Sequence, residues 1–358
     1  MGITNEPPGH SAPTPVQNPV SAANPPTSEI EAASVPNEPS TVESAPLEVD
    51  DATDDDGSSI DERITTYTKS LSSSIVDYPV DYGRRYHAFR RGAYLLPNDD
   101  LEMERLEVTH AMAVKAIGNR LYLAPLEKDK IQRILDIGTG IGIWAIEMAD
   151  VFPNAEIIGN DLSAIQPGWV PSNVKFEIDD VESSWAGVEK YDYIFVRHML
   201  VSIADWPKLV RNVFKYLNPG GWAEFQDLNS EYYSDDGTYT EEHITRKWNK
   251  QFVDAYWVKD AGFQNVKHYK FKCPIGPWAK DPQHREVGML NLIQTLDGLE
   301  AFSLKLFCDV LGQTKEEVLV MLAKVRQEIK SNALHAMFDH HVVYGQKPEG
   351  QSEESDEE

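Results

Sequence analysis

Carboxylates, glycines and an Arg-His pair recur at the ends of short apolar runs in the middle of this 358-residue chain. The first apolar run, beginning at Ile131, ends in Asp136-Ile-Gly-Thr-Gly-Ile-Gly142, and a helical pattern starts at Ile143. A strand–turn–helix of this kind lets a ligand approach bare backbone while the helix N-terminus faces it. The spacing departs from the dinucleotide fingerprint G-x-G-x-x-G, because Ile143 stands where the third glycine belongs. Asp136, two residues ahead of Gly138, would repel a pyrophosphate. It suits instead a ligand with a cationic amino group and no phosphate. A glycine turn shaped only for packing is the alternative at this point.

Further strand ends extend the pattern. Asp161 lies about 20 residues past the turn, where an acid accepts hydrogen bonds from ribose hydroxyls. Asp179-Asp180 ends a third run, and Arg197-His198 ends a fourth. In open α/β sheets ligands bind outside the carboxyl ends of the strands, so acid, acid, acid and Arg-His converge on one site. S-Adenosylmethionine, with an ammonium, a sulfonium and a ribose but no phosphate, fits that set as cofactor. His198 is the candidate catalytic base, since an imidazole titrates near neutrality; a packing histidine is the competing role. His87 and His243 are further candidates, while His340-His341 reads as part of the last strand. Tyr232, Tyr233, Trp248 and Trp257 could flank a planar acceptor or belong to the core. No metal-ligating cluster stands out.

These residues need a parallel sheet to hold them. From residue 131 strand and helix patterns alternate, which implies an α/β sheet with helices on both faces. Strands are expected over 131–137, 156–161, 174–178, 191–196 and 222–227, with helices from 143 to 151 and from 206 to 217. Asn218-Pro-Gly-Gly221 reads as a turn. Upstream, Asp99 with Glu102 resembles a capping box, opening a helix whose apolar side is Leu101, Val108, Met112 and Ile117. Helices follow over 241–256, 286–312 and from Thr314, whose Thr314-Lys-Glu-Glu317 is a capping box. Strands over 261–271 and 335–344 complete the pattern.

The net charge of −25 comes mostly from the ends. Residues 1–60 hold eleven acids, ten prolines, no Lys or Arg and no aromatic, and residues 349–358 hold six acids, leaving −8 for residues 61–348. Such tails lack the apolar surface that offsets ordering entropy and are expected to be disordered. No basic stripe suggests direct nucleic-acid binding. No apolar run reaches the ~20 residues of a membrane span. Cys273 and Cys308 have neither disulfide-framework nor zinc spacing, which suits a reducing compartment, cytoplasmic or nuclear.

The glycine turn, Asp161, Asp179-Asp180 and the Pro-Gly-Gly turn together resemble class I S-adenosylmethionine-dependent methyltransferases. Arg90-Arg-Gly-Ala-Tyr-Leu-Leu-Pro-Asn98, Ile165-Gln-Pro-Gly-Trp169, Arg197-His-Met-Leu200 with Asp205-Trp-Pro207, and Tyr233-Ser-Asp-Asp-Gly237 are similar to the fungal LaeA-like methyltransferases. The resemblance spans about residues 80–348. It implies a seven-stranded Rossmann-like sheet (residues 126–348), an N-terminal helical lid (61–125), and the two acidic tails (1–60 and 349–358). It also implies that Asp136, Gly138, Thr139, Gly140 and Gly142 hold the methionine portion, Asp161 and Leu162 the ribose, and Asp180 and Val181 the adenine. Arg197 joins that cofactor set, and Tyr86 covers it from the lid. The activity implied is methylation of a small molecule in fungal secondary metabolism; the alternative is a nuclear regulator acting through protein partners. One departure is the segment between Asn249 and Ala261, eleven residues long where the family has a longer helical piece walling the acceptor pocket.

Overall fold

Runs such as Ile134-Leu-Asp-Ile137 and Ile157-Ile-Gly-Asn160 are short, β-branched and apolar on both sides, the composition of strands buried on both faces. The computed structural model describes residues 41–42, 78–87, 94–185, 189–229, 231–249, 261–331 and 333–350. Most of the two tails, Arg90 and Arg91, Trp257 and the segment between Asn249 and Ala261 lie outside the described residues.

Three two-residue strands come first: β1 (Thr41–Val42) and the hairpin of β2 (Val80–Asp81) with β3 (Arg84–Arg85). Helix α1 (Asp100–Ala116) follows. The alternating unit is β4 (Arg133–Ile137), α2 (Ile143–Val151), β5 (Glu156–Asp161), β6 (Val174–Ile178), β7 (Tyr191–Arg197), α3 (Trp206–Tyr216) and β8 (Leu217–Leu228). The chain continues through α4 (Ile244–Asn249), β9 (Gln264–Pro274), α5 (Pro282–Lys305), a π-helical turn (Leu306–Val310), α6 (Lys315–Lys330) and β10 (Met337–Gln346).

Seven of the strands form one mixed sheet in the order β9-β10-β8-β7-β4-β5-β6, with β1 parallel to the outer side of β9. Strands β4 to β8 run parallel; β10 is antiparallel to both neighbours. This is the seven-stranded sheet, with its antiparallel edge, that the sequence leads one to expect. After β4 the chain moves outward through β5 and β6, then returns to β7. The glycine turn therefore sits at the reversal of strand order, where α/β sheets open a crevice.

Alternation along the strands sorts the core. Ile134, Ile157, Tyr193 and Phe195 pack with Trp144, Ala145 and Met148 of α2 on one face. Leu135, Ile137, Ile158, Ile194 and Val196 pack with Leu209, Val210 and Val213 of α3 on the other. Trp144 lies flat on Phe195, ring centroids 3.9 Å apart, and its indole N–H donates to Leu121 O. That stack fixes the start of α2 against β7.

Three expectations about the elements need correction. Leu101 is 64 % exposed, because the inward side of α1 at that end is polar. Glu102 does not close a capping box: its carboxylate bonds Arg105, while Asp99 takes the Glu102 amide and is held by Arg84. The box at Thr314 and Glu317 does form. The Pro-Gly-Gly stretch is absorbed into β8, with a register shift opposite β7 between Tyr191 and Tyr193.

Glu224 of β8 is fully buried and accepts from the amides of Leu123 and Ala124, from Gln226 Nε2 and from the Tyr193 hydroxyl. It anchors the loop between α1 and β4 to the sheet. Replacing Glu224 with Ala would strand those donors, at roughly 1–3 kcal/mol for each left unsatisfied. The expected loss is about 3 kcal/mol, read as a lower urea midpoint at unchanged slope.

Candidate functional site

The cleft at the sheet's reversal point is lined by Gly138, Thr139, Gly140, Asp161, Leu162, Asp180, Val181, Arg197 and His198 from the expected set. The structure thus brings together residues from the ends of β4, β5, β6 and β7. Asn160, Asp179, Glu182, Met199, Ser202 and Ile203 join them from the same strand ends and loops. Tyr94, Ile141 of the turn, Ile143 of α2 and, from α1, Leu106, Thr109 and His110 complete the lining.

The glycine turn spends its amides on β5. Thr139 N–H donates to Asn160 O at 2.9 Å and Gly140 N–H to Asp161 Oδ2 at 2.9 Å; Gly138 N–H approaches Asn160 Oδ1 at 3.4 Å. A phosphate cradle needs such N–H groups pointing at the ligand. Here they are engaged, so the turn offers close approach and negative potential rather than an anion nest. Gln166 of the Ile165-Gln-Pro-Gly-Trp169 stretch braces it from outside, its amide donating to Gly140 O and Ser163 O.

Asp136 and Gly142, expected to hold the methionine portion, stand behind the residues that line the cleft. Asp136 is 3 % exposed and accepts from Thr139 Oγ1 at 2.6 Å. Burial pushes its carboxyl up to about 7, against the opposing effects of the Thr139 hydroxyl and Arg197. Gly142 has φ +78°, and a Cβ there would lie 2.3 Å from the Phe176 ring. Its role is packing at the N-terminus of α2. Asp161 accepts from Gly140 and Ser163 amides, yet burial raises its carboxyl to about 6.

Arg197 reaches across to α1. Its Nη2 donates to His110 Nδ1 at 2.8 Å, and His110 Nε2 stands 3.0 Å from Glu147 Oε2 on α2. The accepting Nδ1 places the proton on Nε2, which donates to Glu147. Burial and the adjacent Arg197 press the His110 pKa down, so the imidazole is neutral. Burial also lowers Arg197 to about 10, more than Asp136 and Glu147 offset.

His198 follows with φ +56°, an uncommon backbone for a side chain with a Cβ. Its backbone N–H donates to Gln226 O, and its ring meets His340 edge-on, centroids 5.7 Å apart. Burial first, then Arg197, His340, Arg105 and His110, push its pKa well down. A buried base close to the cations Arg197 and Arg105 resists taking up a proton, so the His198 ring is neutral.

Several expected residues are elsewhere. Tyr86 is buried beneath Lys305, whose ammonium sits 4.1 Å from its ring centroid, and it does not line the cleft. Tyr94, further along the same N-terminal segment, does. Tyr232 belongs to the core, and the Tyr233 hydroxyl donates to Asp339 of β10 at 2.7 Å. His87 and His340 are buried away from the lining, and His243 bonds its own turn at Thr240. Sequence reasoning expected a lid from this segment but missed the residues of α1 that line the cleft, Leu106, Thr109 and His110. The signal was Glu102, Arg105 and Thr109 at spacings of three and four, a buried polar stripe extended by Gln294 of α5.

Residues 108–271 match a family model described as a methyltransferase domain. The chain is 43% identical over 295 residues to "Methyltransferase pytC" of Aspergillus terreus, covering 78% of this chain and 91% of that protein. It is 32% identical over 291 residues to "Secondary metabolism regulator LAE1" of Cochliobolus heterostrophus, covering 75% and 95%. It is 30% identical over 277 residues to "Probable methyltransferase tdiE" of Emericella nidulans, covering 72% and 87%. With the strand order and the cleft already described, these similarities establish that the chain belongs to the LaeA-like methyltransferases, within the class I S-adenosylmethionine-dependent enzymes.

Proposed function

We propose that the protein methylates a small-molecule acceptor in secondary metabolism, with the cofactor across β4 and β5 and the acceptor beside Tyr94, Leu106, Ser202 and Ile203. The observation that carries this reading is a glycine turn with internally engaged amides, next to a half-buried carboxylate at the end of β5. Such a surface suits a ribose and a cationic amino acid and disfavours a pyrophosphate. α1 flanks the cleft through Leu106, Thr109 and His110, which favours a compact acceptor over a folded macromolecule. No described helix is long and apolar enough to cross a membrane; the cytoplasm and the nucleus are the compartments we propose.

When bound, S-adenosylmethionine supplies a methyl group already activated on sulfur. The protein's task is then to position a nucleophile in line, and positioning alone removes much of such a barrier. In this reading Asp161 accepts from the ribose hydroxyls, Asp180 and Val181 flank the adenine, and the surface of Gly138 to Gly140 receives the methionine portion. His198 acts as an orienting acceptor for the nucleophile's proton, which leaves to solvent.

A second reading, regulation of secondary-metabolite gene expression through protein partners, is favoured by the regulator relative at 32% identity. Pull-down and localisation of the full chain separate the two: a cytosolic protein without partners removes the regulatory reading. For the enzymatic reading, cells lacking the gene should accumulate a metabolite lighter by one methylene unit. An unchanged mass-spectrometric profile counts against it.

Replacing Asp161 with Ala should weaken S-adenosylmethionine binding by roughly 1.5–3 kcal/mol, the range for hydrogen bonds to a charged group, measured by calorimetric titration. Affinity of the unaltered protein should also fall as pH drops through about 6, where Asp161 takes up its proton. A ligand that prefers the ionised carboxylate lowers that pKa, so binding near pH 6 releases protons. The Asp161→Ala variant should lack both the slope and the release.

A further inference from the structure

Arg197 lines the cleft and, among the described residues, forms no ion pair. Its guanidinium carries five donors, and the hydrogen bond described for it goes to a neutral imidazole, His110 Nδ1 at 2.8 Å. Removing a cation from water is unfavourable unless a counter-charge meets it. The carboxylates that line the cleft lie toward its other end, Asp161 closing β5 and Asp179, Asp180 and Glu182 following β6, while Asp136 behind the turn and Glu147 act on Arg197 only at a distance, without a direct ion pair. Arg197 ends β7, on the opposite side of β4. Neighbouring strands lie ≈ 4.7–4.9 Å apart, so β5 and β7 are separated by about 10 Å across β4. The cleft is thus acidic at one end and cationic at the other.

Register fixes what the cationic end adjoins. Val196 pairs with Ile137, which sets Arg197 beside Gly138 at the start of the glycine turn. His110 comes from α1 and Glu147 from α2, so three elements converge on one guanidinium. Glu147 accepts from His110 Nε2, which leaves the lone pair of Nδ1 for Arg197. The pair fixes the direction of the fork without neutralising it.

We infer that Arg197 receives the α-carboxylate of the cofactor's amino-acid portion, and that His110, backed by Glu147, is the positioning residue that aims it. This rests on the reading of the cleft as an S-adenosylmethionine site. Asp161 then recognises the ribose and Arg197 the carboxylate, and the two ends fix the direction in which the cofactor lies.

The test compares S-adenosylmethionine with its decarboxylated analogue, which keeps the adenosine, the sulfonium and the amine. Calorimetric titration of the full chain should show the carboxylated ligand bound roughly 10- to 100-fold tighter, as charge-assisted bonds of that strength require. Arg197→Met should reduce S-adenosylmethionine to the analogue's affinity and leave the analogue within about threefold of its original value. Arg197→Lys, which keeps the charge but not the fork, should fall between. His110→Phe should lower the ratio of the two affinities without weakening the analogue, an effect that a general loss of packing would not give. Equal affinity for both ligands in the unaltered protein overturns the inference and leaves the cofactor reading standing. So does an Arg197→Met variant that weakens both ligands alike. Binding of neither ligand by the unaltered protein overturns the cofactor reading, and the inference with it. Should Arg197→Met fail to fold, the ratio in the unaltered protein and in Arg197→Lys still decides.

Discussion

The carboxylate of Asp161 holds the site together from below. One oxygen takes the amide of Gly140 and the other the amide of Ser163, so the end of β5 clamps the turn after β4 and starts the loop that follows. That loop carries Gln166, which returns to the carbonyl of Gly140, and Ser163, which is approached by Asn98 of the N-terminal segment at 3.2 Å. A single side chain thus links the glycine turn, the neighbouring strand and the segment leading into α1. The energetic consequence is a carboxyl raised to about 6: the amides stabilise its charge but do not fully replace the water it has lost. Such an acid is already oriented when a hydroxyl-bearing ligand arrives.

Charge in the cleft is arranged for a ligand that is itself dipolar. The turn presents no free anion nest, the ends of β5 and β6 are acidic, and the end of β7 is basic. Asp136 contributes from behind, through Thr139 rather than by contact. When ionised it acts at a distance from a position where it cannot be solvated, and the same burial that strengthens its effect raises its pKa to about 7. Helix α1 is part of this arrangement, since its His110 sets the guanidinium of Arg197 at the end of β7.

Strands β4, β5 and β7 were legible because each is a short, largely apolar run closed at or near its end by a charged residue, and burial on both faces leaves little room for another register, while the edge strand β6 was legible from its alternation of Val174, Phe176 and Ile178 with Lys175 and Glu177. The same strand ends placed Asp161, Asp180, Arg197 and His198 in one cleft. Periodicity counted in apolar residues failed on α1, whose inward face is the polar set Glu102, Arg105 and Thr109; Leu101 consequently points to solvent. The choice between Tyr86 and Tyr94 was also beyond local pattern. Both are aromatic residues ahead of α1, and the cation of Lys305 on α5 claims the first. Asp136 was recognised as part of the turn, but its depth depends on the hydroxyl three residues later.

The left-handed backbone at His198 bears on how such a cleft can diversify. A residue at φ +56° is tolerated for histidine, asparagine, aspartate and glycine and is strained for β-branched side chains. Substitution at the point nearest the proposed nucleophile is therefore confined to small or polar side chains. Leu106 on a regular helix and Ile203 on a loop carry no such restriction. Drift toward a differently shaped acceptor is channelled to those apolar walls, while the strand end stays polar for a backbone reason, independent of any role in chemistry.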